Sequence, residues 1–249
     1  METIEKNNYG LVGKNISYSF SESYFADKFK KLGLSGYSYR NYDLAHIEDF
    51  KELVSEDKNL KGLNVTIPYK EAVIPYLDKL DKKARKVGAI NTVKFTKKGL
   101  KGYNTDIYGF KKSIKPHLKK HHKRALILGT GGASKAVAFV FKELGIKFKF
   151  VSRTAKKNQL LYDDLDEKTM KKYKVLVNCT PLGTFPNIEE KPAIPFQLIS
   201  DKHLLFDLIY NPEKTAFLRE GEKQGATIRN GLRMLELQAE KSWKIWNSK

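Results

Sequence analysis

The chain has 249 residues, 41% of them hydrophobic and 12% aromatic, a globular composition sufficient for one large or two modest domains. Its 47 Lys and Arg against 28 Asp and Glu give a net charge of +19 and a field that attracts anions, yet the cations are scattered (Lys28, Lys30, Lys31, Lys82, Lys83, Lys97, Lys98, Lys171, Lys172) without a basic tail or an RNA-binding aromatic signature, so nucleic acid is not the expected partner. No run of about 18 apolar residues could span a bilayer, the opening METIEKNNYG lacks a signal-peptide apolar region, and the single cysteine, Cys179, excludes an internal disulfide and suits a reducing cytoplasm.

Tyr9 to Val12 reads as a short strand, followed by a polar loop with Asn15, Ser17, Ser19 and Ser21 and then a helix with Phe25, Phe29 and Leu32 on one face. Tyr37 to Tyr42 is a second strand, and Ile47, Phe50, Leu53 and Val54 mark another amphipathic helix. The next strand ends in Asn64-Val-Thr66-Ile-Pro68-Tyr-Lys70. A period of two puts Leu63, Val65 and Ile67 on one face and Asn64 and Thr66 on the other. Pro68 suits the first position of a helix, which would place Lys70 in its first turn. A cation there opposes the helix dipole, so Lys70 is either a solvated surface lysine or a residue kept for its chemistry. Strand and helix alternate, which argues for parallel βαβ packing. A hairpin from Ile90 to Tyr103, turned through Lys97-Lys98-Gly99, is expected to add an antiparallel edge. It leads through Asn104-Thr105-Asp106 into a helix, where Asp106 either caps that helix or orients a nearby ammonium.

Residues 115 to 124, KPHLKKHHKR, connect to the first strand of a second domain. His121 and His122 are adjacent, with no cysteine or carboxylate close by, so a solvated loop is expected there. His46, His117 and His203 form no ligand pattern either, and no metal is expected.

Arg124 to Leu128 is an apolar strand that runs into Gly129-Thr130-Gly131-Gly132-Ala133-Ser134 and then a helix. Small residues in that order let the backbone approach a pyrophosphate at the helix N-terminus, and Thr130 and Ser134 would add hydroxyl donors. Ser134 stands where the strict GxGxxG pattern has its third glycine. About twenty residues further on, Lys147 to Val151 ends in Ser152-Arg153-Thr154. Arg153 offers a planar cation for a 2′-phosphate where an NAD-binding chain carries a carboxylate, so NADP is favoured. Lys157, one helical turn further, is either a second phosphate contact or a surface lysine. Val175 to Gly183, through Asn178, Cys179 and Thr180, and Leu204 to Pro212, through Asp207 and Tyr210, are strand ends expected to face the cofactor crevice. Cys179 is read as a small buried residue and not a nucleophile.

The set Ser19-Phe-Ser21, NVTIPYK at 64 to 70, Gly88-Ala-Ile-Asn91-Thr92, Asn104-Thr105-Asp106, GTGGAS at 129 to 134, Ser152-Arg153-Thr154 and Gly231-Leu-Arg-Met-Leu-Glu-Leu-Gln238 resembles the shikimate dehydrogenase family, in family order from near residue 10 to near residue 240. The resemblance implies an α/β protein of two domains. Residues 1–106 with 232–249 would form the substrate-binding catalytic domain and 107–231 a Rossmann-like, doubly wound NADP-binding domain. It implies reversible NADPH-dependent reduction of 3-dehydroshikimate to shikimate, in chorismate and aromatic amino-acid biosynthesis. Lys70 and Asp106 would form the catalytic pair. Ser19, Ser21, Asn64, Thr66, Asn91 and Gln238 would bind substrate, with Tyr210 bordering the pocket. Gly129 to Ser134, Ser152 to Thr154, Lys157, Asn178, Thr180 and Gly231 would serve the cofactor. The partners expected are small molecules only, without nucleic acid or membrane, in a monomer or homodimer.

Two positions depart from the family pattern: Tyr18 replaces a common histidine, and Glu22 a common proline. A carboxylate at 22 is compatible with a carboxylate-binding loop only if it is held away. A quinate or shikimate dehydrogenase using NAD, and a dinucleotide-binding regulator without turnover, remain alternatives.

Overall fold

A computed structural model describes residues 6–16, 19–154 and 156–248. In chain order the elements are β1 (Asn7–Gly13), α1 (Phe20–Lys31), β2 (Tyr37–Asp43), α2 (Phe50–Glu56), β3 (Leu60–Val65), α3 (Tyr69–Ala72), β4 (Lys79–Leu80), α4 (Lys82–Val87), β5 (Thr92–Thr96), β6 (Gly99–Tyr103) and α5 (Asp106–Ile114). Then follow β7 (Arg124–Leu128), α6 (Gly132–Glu143), β8 (Lys147–Val151), α7 (Glu167–Lys172), β9 (Val175–Asn178), β10 (Leu204–Asp207), α8 (Ala216–Lys223), β11 (Thr227–Arg229) and α9 (Leu232–Trp246). Contacts divide the chain into two compact units, Met1–Thr105 with Ala239–Lys249, and Asp106–Gln238.

The first unit holds a mixed sheet in the order β2-β1-β3-β5-β6-β4. β1 pairs in parallel with β2 and β3, and β5 runs antiparallel to β3 and β6. Alternation along β1 sends Tyr9 and Leu11 to one face and Val12 to the other. Tyr9 and Leu11 pack with Phe25, Phe29, Tyr39 and Trp246, and Val12 packs with Phe50, Leu63, Val65 and Ile90. Gly62 has no side chain because the Trp246 indole occupies that space. The indole N–H in turn donates to the Val93 carbonyl at 3.0 Å.

Four expectations change here. The 90–103 hairpin is present, with Lys97 and Lys98 as its turn and Gly99 at φ 96°, but it is not an edge, because the two-residue β4 pairs in parallel outside β6. Leu32 does not join Phe25 and Phe29, since the helix has ended at Lys31 and the chain turns through Gly33, leaving Leu32 exposed. Ile67 does not extend the buried face of Leu63 and Val65. β3 stops at Val65, and Ile67, two residues past its end, is 68% exposed. Pro68 is the N-cap of α3, not its first residue, and α3 is a single turn of four residues. So short a helix has little dipole, which removes the expected conflict with Lys70.

The second unit is a parallel sheet in the order β11-β10-β9-β7-β8. Residues 125–128 of β7 are buried without alternation, the pattern of a parallel strand covered on both faces. Phe110 of α5 packs edge-on against Phe141 of α6 and Phe206 of β10, at 5.5 and 5.3 Å between ring centroids. Gly109 lets α5 lie directly on α9, because a Cβ there would press on the Met234 carbonyl and on Gln238.

The loop before β7 is not simply solvated as expected. His122 is buried, its Nδ1 accepts from the Lys119 amide at 3.0 Å, and its Nε2 lies 3.1 Å from the Lys202 carbonyl. His121, exposed, reaches the same carbonyl. These imidazoles tie the loop before β7 to the one before β10.

Candidate functional site

The polar residues of the first unit gather where β3, β5 and the segment before α5 end. Asn64 is the hub. Its Nδ2 lies 3.0 Å from both the Asn91 carbonyl and Ser242 Oγ, and 3.3 Å from Thr92 Oγ1. A carbonyl only accepts, so the amide nitrogen must face Asn91 and Oδ1 must face the other way. There Oδ1 accepts from the Tyr39 hydroxyl at 2.9 Å. Asn91 is held as firmly: Oδ1 accepts from the Thr105 amide at 2.6 Å and Nδ2 donates to Thr105 Oγ1 at 2.9 Å. These bonds fix Thr105, the residue just before Asp106. Such buried amides and hydroxyls are stable only because they satisfy one another.

Ser19 caps α1, accepting from the Ser21 amide at 3.2 Å. Ser21 is buried, as is the Tyr39 phenol, whose pKa burial raises far above the ordinary value. Glu22 is exposed, and its Oε2 accepts from Asn41 Nδ2 at 2.7 Å. That contact holds the carboxylate on β2. Tyr18 lies outside the described residues. Thr66 is half-buried, with its amide on the Val12 carbonyl at 2.9 Å. Lys70 is half-buried, and its carbonyl accepts from the Ile90 amide at 2.7 Å, fixing the lysine's backbone beside the segment that carries Asn91 into β5.

Asp106, Tyr210 and Gln238 belong to the second unit. Asp106 is the first residue of α5 and is buried, so it does not stand in the N-cap position. Gln238, also buried, lies against Gly109 of the same helix α5. Tyr210 is half-buried beyond the end of β10.

The glycine turn follows β7. Gly129 has φ 99°, a left-handed conformation that suits glycine, and a Cβ there would crowd Thr180 and Cys179. Gly131 is the N-cap of the twelve-residue α6, and the space its Cβ would take is open. Gly132 and Ala133 form the first turn, so backbone amides and the positive end of the helix dipole face open space. These residues fit a dinucleotide pyrophosphate. Thr130 is exposed, as a ligand donor must be. Ser134 differs from the expectation of a free donor: it is fully buried and its hydroxyl donates to the Gly131 carbonyl at 2.6 Å, bracing the turn.

Beyond β8, Ser152 Oγ accepts from the Thr154 amide at 3.4 Å, while Arg153 and Thr154 are exposed. Lys157 is exposed too, but on a turn closed by the Gln159 amide and the Lys156 carbonyl, not on a helix. The chain is pulled back at once by the bridge from Val151 to Leu160, which leaves no length for a helical turn.

At the end of β9, Asn178 is fully buried. Its Oδ1 accepts from Thr180 Oγ1 at 2.7 Å and its Nδ2 donates to Asp207 Oδ1 at 3.1 Å. Burial pushes the Asp207 carboxyl up to about 6. Cys179 is half-buried and not buried as expected; desolvation still raises its thiol and the neighbouring Asp207 charge adds to this, so the thiol stays protonated. Gly231 is required by packing, since a Cβ would strike the Leu208 backbone. Among the described residues no His, Cys, Asp or Glu side chains gather in a metal-binding group, and no helix is long and apolar enough to cross a membrane.

Tyr39, Thr92, Thr105 and Ser242 are participants that sequence reasoning missed. Thr92 and Thr105 adjoin Asn91 and Asp106 in their motifs, and Ser242 follows Gln238 by one helical turn of four residues, so these carried a signal. Tyr39 carried none, because an aromatic residue in a strand reads as core.

Comparison with known proteins adds to this geometry. Residues 11–93 match the family model described as the shikimate dehydrogenase substrate binding domain. A shikimate dehydrogenase (NADP(+)) of Methanosphaera stadtmanae is 36% identical over 259 residues, covering 96% of this chain and 91% of its own. The crystal structure of shikimate dehydrogenase from Aquifex aeolicus is similar with a TM-score of 0.87 at 32% identity, covering 99% of this chain and 94% of its own. That of the Thermus thermophilus enzyme, in complex with NADP(H) and shikimate, has a TM-score of 0.84 at 30% identity, covering 97% and 93%.

Proposed function

The chain belongs to the shikimate dehydrogenase family, and from that premise we infer that it catalyses the reversible NADPH-dependent reduction of 3-dehydroshikimate to shikimate. It is an oxidoreductase of the shikimate pathway, acting on a CH–OH group with NADP as cofactor. The observation that best supports the substrate half is the buried network that fixes the amides of Asn64 and Asn91 on the strand ends flanking the turn of Lys70.

We assign residues 1–106 with 232–249 to the substrate-binding catalytic domain and 107–231 to the NADP-binding domain. This differs from the compact units in taking all of α9, and Asp106, into the first. Ser19, Ser21, Asn64, Thr66, Asn91 and Gln238 bind the carboxylate and hydroxyls of the substrate, and Tyr210 borders them. When bound, NADPH supplies the hydride for the ketone carbon. Lys70, directly or through a water, gives its proton to the ketone oxygen, and Asp106 orients the ammonium and a neighbouring hydroxyl. In the oxidative direction Lys70 takes the proton back.

Gly129 to Ala133 hold the pyrophosphate by backbone approach, with Ser134 bracing the turn. Asn178 acts through Thr180, since its own amide is committed inward. Gly231 keeps α9 close to the strand end. Ser152, Arg153, Thr154 and Lys157 receive the 2′-phosphate end, where Arg153 supplies a planar cation. The single cysteine agrees with a cytoplasmic protein, acting as a monomer or homodimer on small molecules alone.

The deciding experiment crosses shikimate and quinate with NADP and NAD and follows the appearance of reduced nicotinamide. The highest kcat/KM is expected for shikimate with NADP. Saturable NADP binding without turnover would instead indicate a regulator.

A further inference from the structure

We propose that Tyr39 is a positioning residue of the substrate site, locking the Asn64 carboxamide in one orientation, with Ser242 as the opposing clamp; this rests on the assignment of Asn64 to the substrate. The amide of Asn64 has two hydrogens, and the two nearest acceptors, the Asn91 carbonyl and Ser242 Oγ, both stand 3.0 Å from its nitrogen. Its donors are therefore committed inward. What remains for a ligand is one lone pair on Oδ1, the atom that already accepts from Tyr39 at 2.9 Å. A rotated carboxamide would set its nitrogen against the phenol and its oxygen against the Asn91 carbonyl, two acceptors face to face. Tyr39 and Asn91 together exclude that state, and the acceptor that a substrate hydroxyl needs stays in place.

Tyr39 is itself immobile. Its ring stacks on Phe25 at 4.5 Å with 11° between the planes, and Trp246 flanks it at 6.4 Å. Phenylalanine would fill the same space, so packing does not explain the hydroxyl. Burial keeps the phenol protonated, so it remains a donor to Asn64.

The test is steady-state kinetics of wild type, Tyr39→Phe, Asn64→Ala and the double variant, with circular-dichroism melting of each. Tyr39→Phe leaves a buried acceptor short of a partner, and we expect KM for shikimate to rise about tenfold. kcat and KM for NADP should stay within about twofold, and the double variant should be no worse than Asn64→Ala alone, because Tyr39 acts through Asn64. An unchanged KM for shikimate in Tyr39→Phe, or effects of the two substitutions that multiply, overturns the proposal. If Tyr39→Phe does not fold, Ser242→Ala is judged against Asn64→Ala by the same two criteria. A wild type without shikimate-dependent NADPH formation would remove the substrate assignment and this proposal with it. Failure of the Tyr39 coupling alone leaves wild-type turnover intact, so the two failures are distinct.

Discussion

Thr215 Oγ1 donates to Asp207 Oδ2 at 2.6 Å, and the Ile209 amide and Asn178 Nδ2 donate to Oδ1 at 3.0 and 3.1 Å. The carboxyl at the end of β10 is thus held by three neutral donors. Burial outweighs them and pushes its pKa up to about 6. A carboxyl whose folded pKa is raised contributes stability in full below its unfolded pKa and loses it as pH rises through the folded value. The loss is about 3 kcal/mol, from a shift of roughly two units at about 1.4 kcal/mol each. Asp207→Asn abolishes this titration. Urea unfolding at about pH 4 and about pH 7 should show the variant gaining on wild type by that amount toward neutrality, and a difference independent of pH would contradict the assignment.

His203 carries the opposite sign. The Ser200 amide can only donate, so Nδ1, 3.0 Å away, is bare, and Nε2 donates to the Met170 carbonyl at 3.1 Å. Burial lowers its pKa and the nearby Lys174 charge adds to this. A base depressed in the folded state contributes stability above its unfolded pKa of about 6.5 and loses it as pH falls. Imidazole nitrogen NMR should find the neutral form of His203 as the Nε2–H tautomer, titrating below the free value of about 6.5. A ring titrating at or above about 6.5 would refute this, and His203→Gln should lessen the loss of stability on acidification.

Lys70→Ala should lower kcat by about 10² to 10⁴-fold, the range for a positioned proton carrier, with KM for shikimate changed by less than about threefold. Near-normal turnover in the variant would remove Lys70 from the chemistry.

Arg153→Ala should raise KM for NADP by about tenfold and leave KM for NAD unchanged, because the guanidinium is assigned to the 2′-phosphate that only NADP carries. Equal effects on both coenzymes would mean that Arg153 acts on the turn and not on the phosphate.

Much of the molecule was legible in the order of residues. β7, its glycine turn and α6 follow directly from an apolar run, small residues and a helical stripe, since strand, turn and helix are each set by near neighbours in sequence. The motifs also pointed to Asn64, Asn91 and Lys70 as a group. The errors came where the local period ended without local warning. Ile67 continues the alternation of Leu63 and Val65 in sequence, but β3 has already ended at Val65 and Ile67 stands exposed. Leu32 continues the stripe of Phe25 and Phe29, but the helix stops at Lys31 and nothing packs over the last position. His122 reads as a loop residue because its partner, the Lys202 carbonyl, lies far along the chain.

Sequence by itself determined the alternating α/β plan, the glycine turn at Gly129 to Ser134 and the family motifs, because spacing, glycine placement and periodicity act over a few residues. Only the tertiary structure decided which polar groups are spent on one another. Tyr39, Asn64, Asn91 and Ser242 come from four separate stretches of chain, and their hydrogen bonds form only once α9 and the strands of the first unit have packed. Whether an amide is free for a ligand or committed to a neighbour depends on those non-local partners, since a buried donor must be satisfied by whatever the fold brings within reach.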